Sequence, residues 1–200
     1  QLKYNKICGF EDQEKRLALI RSNDRPKIII YLARLNLYLN QSGFDNGEGG
    51  VEILELRHKI KGKLFDNLVE TLQKISKSGH LVLVYPIPEV GVDMGVIQQK
   101  LLTRNFYEAK QQLNRYPVTT SYSKYLERSQ PTIEALDSIK SKNVIRVFPS
   151  NLFCNKVLPE RCQTNDINGV FYNDFDHLSY YGTKKLSYEI IKLIRPILEN

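Results

Sequence analysis

The chain predicts a three-layer α/β/α fold built on a central parallel sheet, and three observations carry that prediction. Short apolar, β-rich runs recur at residues 27–32, 80–85 and 143–148. Each is apolar nearly throughout instead of alternating, the pattern of a strand covered on both faces. Stretches with helical spacing separate the runs, and strand–helix repeated three times makes a parallel sheet with helices on both sides.

The elements follow in order. Lys-Ile-Ile-Ile-Tyr-Leu at 27–32, after Pro26, is the first strand, and a polar, Gly-rich loop follows over 40–50. Leu64, Leu68, Leu72 and Ile75 predict a helix over 61–76, with Phe65 widening its stripe and Gly79 ending it. His-Leu-Val-Leu-Val-Tyr at 80–85 is the second strand, stopped by Pro86 and Pro88. Residues 96–115 read as helical despite their polarity, and 123–139 as a helix interrupted or kinked by Pro131. The run at 143–148 is the third strand. A last helix over 183–198 buries Leu186, Ile190, Leu193, Ile194 and Ile197, with Pro196 limiting its final turn. The loops at 34–50, 86–95 and 151–182 all leave the carboxyl ends of strands, where sites form in such sheets. They are expected to meet in one cleft. No repeat or linker divides the chain, so residues 1–200 read as a single domain.

Composition narrows the classes. The chain is 42% hydrophobic and 26% charged, suited to one substantial core. No apolar run approaches the ~18 residues of a membrane span, and no signal-peptide pattern follows Gln1. The net charge of +7 is scattered, as on a solvated surface; a polyanion such as nucleic acid or an anionic glycan is the alternative. No RNA-recognition, zinc-finger or helix-turn-helix signature is present, so no nucleic-acid partner is expected. Cys154 and Cys162 bracket a short polar loop that a disulfide would pin, which points to an oxidising compartment; free thiols are the alternative. Cys8 is left over, and its partner is expected in a missing N-terminal segment, since the chain lacks an initiating Met.

The residues with the most chemistry lie in Phe171-Tyr172-Asn173-Asp174-Phe175-Asp176-His177-Leu178-Ser179, ahead of Gly182 and the last helix. A histidine takes a proton from a serine hydroxyl while a carboxylate fixes its tautomer. One turn places Asp174 against His177, making Asp174 the orienter and His177 the general base. Asp176 is a rival whose side chain is expected to point away. Ser179 reads as a helix N-cap. No GxSxG or Gly-Asp-Ser block is present, so the chain supplies no evident nucleophile. Arg34, at a strand end, contacts substrate or oxyanion or else forms a salt bridge. Asn46 belongs to the same oxyanion reading; with Gly47, Gly49 and Gly50 it makes a backbone-amide nest or an ordinary turn cluster. Glu89 shapes its loop. Tyr180 and Tyr181 are candidates for stacking on a sugar, with packing as the alternative. His58 and His80 have no ligand-like partners, and no metal site is predicted.

Asp174 to Ser179 with Gly182 resembles the last block of the SGNH hydrolases. The nearer resemblance is to the SGNH domain fused behind family-three membrane acyltransferases, the bacterial O-acetyltransferases of surface polysaccharides. Ile30-Tyr31-Leu32-Ala33-Arg34 with Tyr38-Leu39 is similar to that subgroup. So are residues 44–50, the strand end Tyr85-Pro86-Ile87-Pro88-Glu89-Val90-Gly91, and the Cys154…Cys162 loop. The resemblance covers 28–198. It departs from the family where Gly-Asp-Ser is missing, and where Leu35 follows Arg34 in place of tryptophan. It implies an SGNH/flavodoxin-like fold whose first strand is missing from this chain, with the serine upstream. It also implies acetyl transfer to a cell-surface glycan at the periplasmic face of the inner membrane, in cis with a membrane acyltransferase domain. This domain would hold no cofactor, a donor such as acetyl-CoA serving the membrane domain. A free-standing carbohydrate esterase and a non-catalytic glycan- or partner-binding module are the alternatives.

Overall fold

Strand β2 (His80–Val84) is buried along almost its whole length because it lies between β1 (Ile28–Tyr31) and β4 (Val144–Val147), parallel to both. A computed structural model describes residues 15, 16, 18–20, 22, 28–53, 64–102 and 105–199. The expectations for Cys8, His58 and residues 61–63 lie outside them.

Successive side chains of a strand point to opposite faces, and β2 sorts its neighbours that way. Leu81 and Leu83, with Tyr85 beyond the strand end, pack with Leu72 of α2 (Leu64–Ser78), Leu136 of α5 (Tyr122–Asp137) and Leu35. Val82 and Val84 face the other way, onto Leu186 and Ile194 of α7 (Tyr180–Leu198). This is the expected three-layer α/β fold with a parallel sheet. A third cluster, Val90, Met94, Phe153, Phe171 and Tyr172, fills the space beneath the loops at the carboxyl edge.

Four features depart from the sequence reading. β1 was expected to be covered on both faces, yet Ile30 is half exposed, and among the described residues β1 pairs only with β2. The stretch after it is not all loop: α1 (Leu35–Asn40) forms there and buries Leu35, Asn36 and Leu37. The region 96–115 splits into α3 (Met94–Leu102) and α4 (Phe106–Arg115), with Asn105 capping α4 through an acceptor bond from the Tyr107 N–H. Helix α5 runs through Pro131 without ending.

Two short elements brace the carboxyl edge. β3 (Thr119–Ser121) pairs antiparallel with β5 (Arg161–Gln163). α6 (Ser150–Phe153) leads into Cys154, which is disulfide-bonded to Cys162, and both cysteines are buried against Tyr125. The final helix starts where Ser179 caps it: its hydroxyl accepts the Gly182 N–H at 3.1 Å.

Candidate active site

The loop from Phe171 to Ser179 is a small hairpin-like turn, closed by the Tyr172↔Leu178 bridge and by the Asn173 N–H donating to the His177 carbonyl at 2.9 Å. Asp174 organises the turn from inside. Its Oδ1 accepts the backbone N–H groups of Asp176 (3.0 Å) and His177 (2.8 Å), an Asx turn of the kind aspartate favours. That leaves Oδ2 aimed at the imidazole, 2.8 Å from His177 Nδ1. A carboxylate only accepts, so Nδ1 carries the proton and Nε2 is left with its lone pair. The His177 side chain is 73% exposed, and among the described residues no hydroxyl bonds to it.

Burial tends to raise Asp174, but the two backbone N–H groups and His177 outweigh it and hold the carboxyl below its usual range. For His177 the bond to Asp174 comes first and the charge of Asp176 second, and together they push the imidazole above its ordinary value.

Asp176 does not turn away. Its Oδ1 lies 3.4 Å from the same His177 Nδ1, while its Oδ2 meets Arg34 Nε at 2.9 Å. Arg34 also binds Glu52 and Glu89, the latter at 2.8 Å, and Glu89 in turn receives Arg128 Nε at 2.8 Å. Glu89 and Arg128 are almost fully buried, and the whole cluster ties the exits of β1 and β2 to the histidine loop. Arg34 thus stands in the salt-bridge alternative, its charge held up against burial by Glu52, Glu89 and Asp176.

Asn46 is consumed by its own loop. Its Oδ1 accepts the N–H groups of Glu48 (2.8 Å) and Gly50 (2.9 Å), and its Nδ2 faces the Val90 carbonyl at 3.4 Å. The loop amides therefore serve a turn. Gly50 is required there, since a Cβ would fall 2.5 Å from Asn46 Nδ2. Tyr181 stacks on Phe171 and donates to Asp166 at 3.0 Å, whereas Tyr180 is exposed. His80 opens β2, away from these groups.

The three loops do converge. A cleft of about 390 Å³ is lined by Leu32 and Arg34 after β1, Pro86 and Glu89 after β2, and Asp176 and His177 before α7. Asp174, Asp176 and His177 also bring possible ligand atoms within 4.8 Å of one another. Asp176 is already paired with Arg34 and Asp174 Oδ1 with two N–H groups, so the set is that of a charge-paired imidazole.

Sequence reasoning missed Glu52 and Arg128. Arg128 had a signal: with Tyr125, Thr132 and Leu136 it falls on the buried face of α5, where an arginine needs a partner. Glu52 sits in an irregular segment with no period to betray it.

A carboxylate-fixed histidine at the carboxyl edge of a parallel sheet is an arrangement that α/β hydrolases and acyltransferases use. The chain belongs to the family described as SGNH domain (fused to AT3 domains), which matches residues 4–192. Its function is therefore associated with acyl transfer, in a family joined to membrane acyltransferase domains. Comparisons with curated proteins and with solved structures returned no match. No helix of the described residues is long and apolar enough to cross a membrane.

Proposed function

We propose that residues 1–200 form one domain that transfers an acetyl or related acyl group to a hydroxyl of a cell-surface polysaccharide at the periplasmic face of the inner membrane. The observation that carries this is the Asp174–His177 pair lining a cleft, with the imidazole largely exposed and no partner on Nε2 among the described residues. His177 Nε2 takes the proton of a serine hydroxyl as that oxygen attacks the acyl carbonyl, and returns it to the leaving group. It then takes the proton of the sugar hydroxyl as that oxygen attacks the acyl-serine, and returns it to the departing serine oxygen, which regenerates the serine. Asp174 keeps the tautomer fixed and balances the imidazolium. The acyl group arrives from a membrane domain in cis that uses a donor such as acetyl-CoA, and this domain needs no cofactor of its own.

The serine comes from a segment outside the described residues, added beside β1. Support comes from the side of β1 that no strand of the described residues pairs with, and from Ile30 and Leu32, each about half exposed, Leu32 also lining the cleft. An esterase is the second reading, favoured by the exposure of His177, which admits water as acceptor. The test is turnover of p-nitrophenyl acetate by the serine-containing full-length protein, with and without an oligosaccharide acceptor. Acetylated sugar supports transfer; acetate alone supports the esterase; no turnover, with donor binding intact, overturns both.

A further inference from the structure

Asp174 alone satisfies the usual requirement for a carboxylate behind a histidine, so a second carboxylate on the same nitrogen calls for an explanation. Asp176 Oδ1 stands 3.4 Å from His177 Nδ1 and its side chain is only 11% exposed. Its position is fixed by Arg34 Nε at 2.9 Å, and by the Phe175 carbonyl accepting the Val90 N–H at 2.8 Å. With Glu52 and Glu89 behind it, Asp176 makes three carboxylates against two guanidinium groups, Arg34 and Arg128. With all five ionised, the cluster keeps one negative charge uncompensated, and Asp176 is its member nearest the imidazole.

We propose that Asp176 and Arg34 are positioning residues: Asp176 holds the Nδ1 edge of His177 together with Asp174, and couples the imidazole to this ion cluster. The proposal rests on His177 being the general base. The charge missing from the cluster is the one that appears when Nε2 takes a proton, so the cluster stabilises the imidazolium as it forms. Arg34 limits this effect by drawing on Asp176 from the far side. Among the described residues the charged groups facing His177 are Asp174, Asp176 and Arg34; α7 contributes only Thr183 and Leu186 to the cleft. Neither pairing was legible from spacing, since neighbours in sequence usually diverge and Arg34 lies far upstream.

The test is an NMR pH titration of the His177 ring in this 200-residue chain, which needs no serine. Asp176→Asn should lower the midpoint by roughly half a pH unit or more, and Arg34→Gln should raise it by a similar amount. Opposite shifts from two residues that touch each other are not what a merely structural role produces. Should Arg34→Gln fail to fold, Arg34→Gln with Glu52→Gln removes one charge of each sign and should raise the midpoint likewise. A midpoint unmoved by Asp176→Asn in a folded chain overturns the proposal. The shifts appearing in a full-length protein that shows no acyl transfer would overturn the general-base reading and leave the electrostatic coupling intact.

Discussion

At the scale of single residues, Asp174 divides its two oxygens between a turn and a ring, so one side chain both shapes the loop and fixes the tautomer. Asp174→Asn removes the charge that raises His177, and the midpoint of the ring should fall toward 6.5, read by NMR. The same pair sets a stability window. Asp174, lowered in the folded chain, stabilises above its unfolded value of 3.8 and loses that as pH falls through its folded value. His177, raised, stabilises below 6.5 and loses that as pH rises through its folded value. Their pairing therefore contributes fully between those two unfolded values, and Asp174→Asn should cost more stability there than well above it, where only the bonds from the two backbone N–H groups remain. Catalysis runs the other way: the rate should climb as pH rises through the His177 midpoint, because only the neutral ring accepts a proton. The buried partner to both arginines is Glu89. Arg34 keeps Glu52 and Asp176 in Glu89→Gln, but the buried Arg128 loses its carboxylate partner among the described residues, and the unfolding free energy should fall by about 3–5 kcal/mol in urea titration.

At the scale of elements, the parts legible in the sequence are those governed by period. The second and third strands, the helix after the Gly-rich loop and the last helix fall close to where their apolar patterns put them, and Ser179 caps as its position before the helix suggests. What escaped was governed by tertiary contact. Helix α1 is a six-residue turn that forms because Leu35 and Leu37 find the core and Asn36 bonds to Ser129 (3.0 Å) and Thr132 (2.8 Å) of α5. The β3–β5 ribbon joins segments too short and polar to announce themselves. Gly182 marks another such contact: a Cβ there would fall 2.2 Å from the Phe171 carbonyl, which accepts the Ser179 N–H at 2.7 Å. Gly182→Ala should shift the histidine loop and lower acyl transfer more than it lowers stability, as activity and urea midpoints together would show. The Cys154–Cys162 bridge closes a short loop. Replacing both cysteines by serine should cost about 2–3 kcal/mol of unfolding free energy.

At the scale of the whole molecule, the sheet is lopsided. β2 is shielded on both sides and both faces, while β1 has no second strand neighbour among the described residues and carries a half-exposed Ile30. Backbone amides of β1 should therefore exchange with deuterium faster than those of β2 in this chain; equal protection would remove the argument for a strand added there. The cleft is lined by Leu32 and Arg34 from the exit of β1 and by His177. The dyad was readable because an aspartate three residues before a histidine lies within one turn. The ion cluster beneath it joins residues from five separate segments, which no local pattern connects. The central claim is that His177 activates a serine carried by the full-length protein. Labelling that protein with a fluorophosphonate, followed by peptide mass spectrometry, tests it most directly. The account predicts one modified serine, with labelling lost in His177→Ala and strongly slowed in Asp174→Asn. Labelling that persists unchanged in folded His177→Ala, or no labelled serine at all, would contradict it.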